Sequence, residues 1–182
     1  MTNQPTDALP ELTFATDADV PAVVSLINLA FRGRGKNAGW SNEEKYIEGT
    51  RITEDLLRED MAAKPHATML LWRQPDGSLL GCVWMQPEHE GVWYLGLLAV
   101  DPSEQQAGLG RKLLQAAEEW TQERGANEIR MTVVHLRSAL IEWYKRRGYV
   151  LTGETKPFPY GDTRFGIPKR DDLYFVVLQK RL

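Results

Sequence analysis

The stretch Leu97-Leu98-Ala99-Val100-Asp101-Pro102-Ser103-Glu104-Gln105-Gln106-Ala107-Gly108-Leu109-Gly110-Arg111-Lys112-Leu113-Leu114 decides how this chain is read. An apolar run breaks at Asp101-Pro102 and a short polar loop follows. The pair Gly108 and Gly110 then opens a segment whose apolar residues recur at Leu109, Leu113, Ala116/Ala117 and Trp120. The pattern predicts strand, loop and helix in succession. Glycines at a helix start let the backbone bend sharply and leave no Cβ in front of the N–H groups. Those groups have no intrahelical acceptor and carry a partial positive charge, which suits an anion. Taken alone, the pair reads either as a turn or as an anion cradle.

Spacing excludes two better-known phosphate loops. A dinucleotide fingerprint needs a small residue where Leu113 stands; a P-loop needs Gly-Lys-Ser/Thr, whereas Gly35-Lys36-Asn37 lacks the hydroxyl and has Ala30 in place of the first glycine. Gln105-x-x-Gly108-x-Gly110, five residues after the strand, instead resembles the acetyl-coenzyme A loop of the GNAT superfamily of N-acyltransferases. The resemblance implies that the backbone from Gln105 through Gln106, Ala107, Gly108, Leu109 and Gly110 to Arg111 holds the cofactor pyrophosphate. It also implies that Leu98 and Val100, on a strand splayed from its neighbour, pair with the pantetheine arm.

With 182 residues, the chain suits a single domain over 1–182, with a polar N-terminal tail at 1–10. Hydrophobic content of 42% and charged content of 26% are ordinary for a globular protein, and a net charge of −3 offers no general attraction to nucleic acid or anionic membrane. The single cysteine, Cys82, rules out a disulfide framework and reads as a core residue. No metal site is expected. The N-terminal residues lack the pattern of a signal peptide and no apolar run approaches membrane-spanning length, so a cytoplasmic location is expected.

Along the chain, Leu12 to Ala15 reads as a strand, and Thr16 or Asp17 caps a helix carrying Val20, Val23/Val24, Ile27 and Ala30/Phe31. Ser41-Asn42-Glu43-Glu44 is a capping-box pattern that predicts a short helix ending at Gly49. Thr53 predicts another, ending before Pro65. His66–Arg73 and Leu79–Gln86 form a hairpin around Gln74-Pro75-Asp76-Gly77-Ser78, and a strand over Trp93–Val100 leads into the loop. After the helix ending at Arg124-Gly125 come a strand over Glu128–His135 and a helix capped by Ser138 and ended by Gly148. Two last strands, Tyr149–Glu154 and Leu173–Leu178, flank the long loop 155–172.

This order resembles the GNAT arrangement over essentially the whole chain: an α/β (α+β) fold with a mixed central sheet of about seven strands flanked by helices. A second specific match is Arg137-Ser138-Ala139-Leu140-Ile141-Glu142-Trp143-Tyr144-Lys145-Arg146-Arg147-Gly148-Tyr149, which departs at Arg137, where many members have Asn. The resemblance implies direct attack of an amine on the acetyl thioester, with Tyr144 as general acid toward the leaving sulfur; without it, Tyr144 reads as a core aromatic.

A general base is less visible. The position that carries Glu in some members is Tyr94, whose ordinary pKa of about 10 makes a poor base. Glu90 stands eight residues before Leu98, roughly 26 Å along an extended strand. Glu88, His89 and Glu90 could then act only through water or a fold-back.

Trp40, Arg51, Phe158 and Tyr160 fall in segments that lie over the acceptor site in that family. Trp40 and Arg51 fit equally an ordinary buried Trp and a solvated Arg. Arg32, Arg34, Arg51, Arg164, Lys169 and Arg170 fit either an acceptor with an anionic group or a solvated surface. Three functions therefore stand: N-acetylation of a small amine by acetyl-coenzyme A, a non-catalytic acyl-coenzyme A module, and acetylation of a protein or peptide amine. Monomer and homodimer are both open.

Overall fold

The computed structural model describes residues 8–33 and 42–182, with the backbone alone at 105–107. Its core is a seven-stranded sheet. The strands are β1 (Thr13–Phe14), β3 (Thr68–Arg73), β4 (Leu79–His89), β5 (Val92–Val100), β6 (Glu128–Val134), β7 (Val150–Pro157) and β9 (Tyr174–Arg181), in the order β1-β3-β4-β5-β6-β9-β7. A second, two-residue ribbon pairs β2 (Ile47–Glu48) with β8 (Ile167–Pro168). All neighbours are antiparallel except β5 and β6, whose parallel crossover is supplied by a helix.

Helices cover both faces. Helix α1 (Val20–Arg32) and Leu57 of α2 (Glu54–Ala63) pack on Met69, Leu71, Cys82, Trp84 and Ala99. Leu113, Leu114 and Ala117 of α3 (Leu109–Gln122), with Leu140 and Tyr144 of α4 (Ser138–Lys145), pack on Leu70, Val83, Met85, Leu95 and Val133. Because β3 to β5 are buried on both faces, their sequences read as continuous apolar runs rather than as alternation.

Several elements follow local signals. The Thr53 side chain accepts a bond from Leu56 N at 3.2 Å and starts α2. The Gln74–Ser78 turn closes through Gln74 N to Ser78 O at 2.8 Å. At α4, Ser138 is the first helical residue rather than the cap, and Arg137 stands before it without a capping side-chain bond.

The helix predicted from Ser41 to Gly49 does not form in the described part of that segment. Asn42 Oδ1 accepts from Glu44 N two residues on, and one turn closes as Tyr46 N and Ile47 N donate to Glu43 O. Glu44, which a capping box needs, is engaged by Lys169 Nζ through its carbonyl and carboxylate at 2.7 and 3.3 Å. Ile47 and Glu48 then pair with the distant Ile167 and Pro168. A tertiary contact has outcompeted the local helix signal.

Strand β4 also runs on to His89, beyond the expected end at Gln86. The β3 pairing ends at Thr68–Met85, so Pro87 sits where only β5 is a partner, a place that tolerates proline. Strand β7 likewise extends to Pro157, and the loop behind it carries a short 3₁₀ turn (Thr163–Phe165) and β8.

The loop is fastened at Gly166. Its φ of +100° disfavours any other residue, and a Cβ there would lie 2.5 Å from the Glu48 carbonyl oxygen. Gly166→Ala is expected to cost roughly 1–3 kcal/mol, lowering Tm by several degrees in a thermal melt, with secondary structure content nearly unchanged.

Candidate active site

Strands β5 and β6 pair only over Val92–Tyr94 against Glu128–Arg130. Beyond that point they diverge, and a cavity of about 270 Å³ opens between Leu95–Leu98 on one side and Met131–Val134 on the other. On its opposite edge β5 stays paired with β4, but the register shifts: Cys82 faces Ala99 while Trp84 faces Gly96. One extra residue is therefore accommodated in β5, at a β-bulge. Leu97 marks it with a φ of +50°, among the described residues the only positive value outside glycine. The bulge resets the strand's alternation, so Leu95 and Leu98 share one core while Tyr94, Leu97 and Ala99 join the other.

Cys82 packs beneath the bulge, its Sγ 3.7 Å from the Leu97 carbonyl oxygen. Burial pushes the thiol up to about 12, so it stays protonated and serves as a weak donor rather than a nucleophile.

The strand ends in the loop predicted to hold phosphate. Asp101 accepts from Ser103 N and Oγ at 2.9 and 2.7 Å, and Pro102–Ala107 form a 3₁₀ turn. Gly108 is left-handed (φ 71°, ψ 21°) and turns the chain into α3, where Gly110 is buried. The space beside Gly108 is open, so its backbone conformation rather than crowding demands glycine. Of the predicted pyrophosphate residues, the structure places the backbone of Gln105 to Ala107 in this turn and Leu109 to Arg111 in the first turn of α3. Leu98 and Val100 are buried in β5, and Leu98 lines the cavity.

Tyr144 lines the same cavity from α4 and is 5% exposed. Its ring meets Trp143 and Tyr149 edge to face, with centroids 5.1 and 5.6 Å away. Burial raises its phenol well above the ordinary value, a shift only partly countered by the charges of Arg137 and Arg147. The Tyr144 hydroxyl is therefore a proton-bearing group throughout the neutral range.

The far wall comes from Phe31, Arg32, Glu43, Ile47, Arg51, Phe158, Pro159 and Phe165. Arg32 and Glu43 form a buried ion pair at 3.1 Å, and Arg32 Nη2 donates to the Phe165 carbonyl at 2.7 Å. Arg51 lies over the rings of Phe31 and Phe165, 5.7 and 5.1 Å from their centroids. Phe158 is 6% exposed in a small core with Ile47, Val134 and Leu173, and it also reaches the cavity.

Tyr160 does not line the cavity. Its hydroxyl donates to Arg170 O at 2.7 Å and accepts from Leu173 N at 2.9 Å, closing its own loop. Trp40 lies outside the described residues. Phe165 of the same loop, which sequence reading did not single out, lines the cavity.

A second cavity, about 350 Å³, adjoins the first and shares Arg51, Tyr94, Gly96, Leu97 and Phe165 with it. The Tyr94 ring covers Gly96, where an added Cβ would lie 2.9 Å from Cε1. Trp84, Gln86 and Glu88 alternate along β4 onto this cavity. Glu88 thus approaches from the neighbouring strand β4. Among the described residues no cluster of His, Cys, Asp and Glu could hold a metal ion, and no helix is long and apolar enough to cross a membrane.

The family model for the acetyltransferase (GNAT) family matches residues 36–149. The chain belongs to the GNAT family of acetyltransferases. Comparison with curated protein sequences gave no match. Among solved structures, a ribosomal-protein-alanine N-acetyltransferase from Brucella melitensis is 18% identical with a TM-score of 0.67, over 94% of this chain and 99% of that one. A spermidine N-acetyltransferase chimera from Vibrio cholerae and hSSAT is 14% identical with a TM-score of 0.68, over 96% of each chain. The ribosomal-protein-S18-alanine N-acetyltransferase from Escherichia coli is 18% identical with a TM-score of 0.63, over 95% of this chain and 94% of that one. At these identities the likeness is one of fold, and the named acceptors differ.

GNAT acetyltransferases use acetyl-coenzyme A, and the parted strands, the bulge and the left-handed Gly108 at the head of α3 fit such a ligand. Gly108→Val strains the backbone and Gly110→Asp adds a negative charge to the first turn. Each is expected to weaken acetyl-coenzyme A binding by roughly tenfold or more in calorimetry while thermal melting stays cooperative.

Proposed function

We propose that this enzyme transfers the acetyl group of acetyl-coenzyme A to the primary amine of a small molecule, by direct attack within a ternary complex. The observation that carries this reading is the cavity between β5 and β6, with the bulge on one wall and Tyr144 on another, closed across from them by Arg51 and Phe165. Its volume suits a compact acceptor, and loop 158–173 bounds the acceptor side.

The thioester supplies an activated acetyl carbonyl. Backbone N–H groups around Leu98 are the donors available to a developing oxyanion at that carbonyl. Tyr144 presents a protonated phenol to the departing sulfur; with its pKa raised, it acts chiefly as a hydrogen-bond donor. Tyr144→Phe is expected to leave acetyl-coenzyme A affinity unchanged and to lower kcat by about a hundredfold or more. The sign of the shift sets the pH dependence. An acid is lost as pH rises through its pKa, so the wild-type rate shows no falling limb from Tyr144 below about pH 10. Initial rates from pH 6 to 10 check this.

The amine must shed a proton. Glu43 is engaged by Arg32, whereas Glu88 lines the second cavity among Gln86 and Tyr94. From the β4 position paired with Gly96, Glu88 is four residues along the strand, roughly 13 Å, so it acts through intervening water. Glu88→Gln is expected to reduce kcat by about 10- to 100-fold at pH 7, with the deficit shrinking as pH approaches the amine's own pKa.

A further inference from the structure

The basic residues around the acceptor side differ sharply in how they are engaged. Arg32 is paired with Glu43, Arg164 with Asp162, Lys169 with Glu44 and Arg170 with Asp172. Arg51 is different. Among the described residues it makes no ion pair, and the planes of Phe31 and Phe165 hold its guanidinium instead of a carboxylate. It is half-buried and lines both cavities, as do Tyr94, Gly96 and Leu97 of β5. A guanidinium bracketed by rings keeps its donor edge free, and that edge matches a carboxylate through two parallel hydrogen bonds.

The surrounding charge has the same sign. With Arg32 offset by Glu43 and Arg164 by Asp162, the first cavity still carries Arg51 and Arg137, and the second carries Arg51, Lys64 and Lys156 against Asp60 and Glu88. A polyamine entering these walls would meet like charge along its length, which disfavours it. A zwitterion would not. Its amine can sit beside the β5 bulge while its anionic end reaches Arg51.

On the acetyl-transfer reading above, we propose that the acceptor is an amine that also bears a carboxylate, an amino-acid-like molecule, and that Arg51 binds the carboxylate. Arg51 thereby selects the acceptor and takes no part in the chemistry.

The test is a panel of L-α-amino acids, each with its carboxamide and its decarboxylated amine, plus spermidine, followed by release of the coenzyme A thiol. For the best acceptor, the expected kcat/KM is about 10- to 100-fold higher for the carboxylate form than for its amide. Arg51→Met is expected to remove that preference by raising KM for the carboxylate form far more than for the amide, with acetyl-coenzyme A affinity nearly unchanged. Arg51→Lys should restore part of it. The wild-type ratio alone decides the matter if a variant fails to fold. Amides, decarboxylated amines or spermidine serving as well as amino acids would overturn the carboxylate proposal and leave the transferase reading standing. Release with no member of the panel, while acetyl-coenzyme A still binds, would overturn the carboxylate proposal and count against small-amine transfer as well.

Discussion

A parallel strand pair that parts after Tyr94 and Arg130 leaves a stretch of backbone edge facing a cleft rather than a partner. Backbone groups removed from water need partners, so such an edge is tolerated only where it is wet or where a ligand completes it. The cavity lined by Leu98 and Tyr144 opens at that gap. The pairing of β5 with β4 keeps its other edge in the sheet, and the extra residue at Leu97 turns the local peptide planes out of the regular ladder. A positive φ at a leucine is costly, and it persists because the two cores on either side hold the flanking residues in place.

The far wall of the cavity has a different origin. Arg32 at the end of α1 reaches Glu43 and the carbonyl of Phe165, joining three segments distant in sequence. Arg32 Nε is buried without a partner, and burial lowers the guanidinium's pKa. A pair so placed adds little net stability, because desolvation offsets the attraction. It does fix geometry: Arg32 ties Glu43 and the Phe165 backbone to the end of α1, and Phe165 supplies one of the rings against the Arg51 guanidinium.

Local signals were enough for most of the sheet and for the helices beginning at Val20, Glu54 and Leu109, where apolar periodicity agreed with a cap at Thr53 and with the left-handed turn at Gly108. They failed where a distant partner decided the outcome. Lys169 claimed Glu44, and Pro87 stayed within a strand because β3 had already ended. The bulge at Leu97 carries no signature in an apolar run, since neither Leu97 nor its neighbours differ in kind from ordinary strand residues. Between two aromatics of one loop, composition could not tell that Tyr160 would bind its own loop backbone while Phe165 turned toward Arg51.

The ribbon of Ile47–Glu48 with Ile167–Pro168 holds the far wall of the cavity with only two residues per strand, apart from the main sheet. Its partners lie more than a hundred residues apart in sequence, so their pairing closes a long loop at an entropic cost. A unit with so few backbone bonds opens at a lower free energy than the core strands, and its amides exchange hydrogen faster. The wall can therefore part from the sheet by local unfolding, while the strand gap and its bulge stay intact.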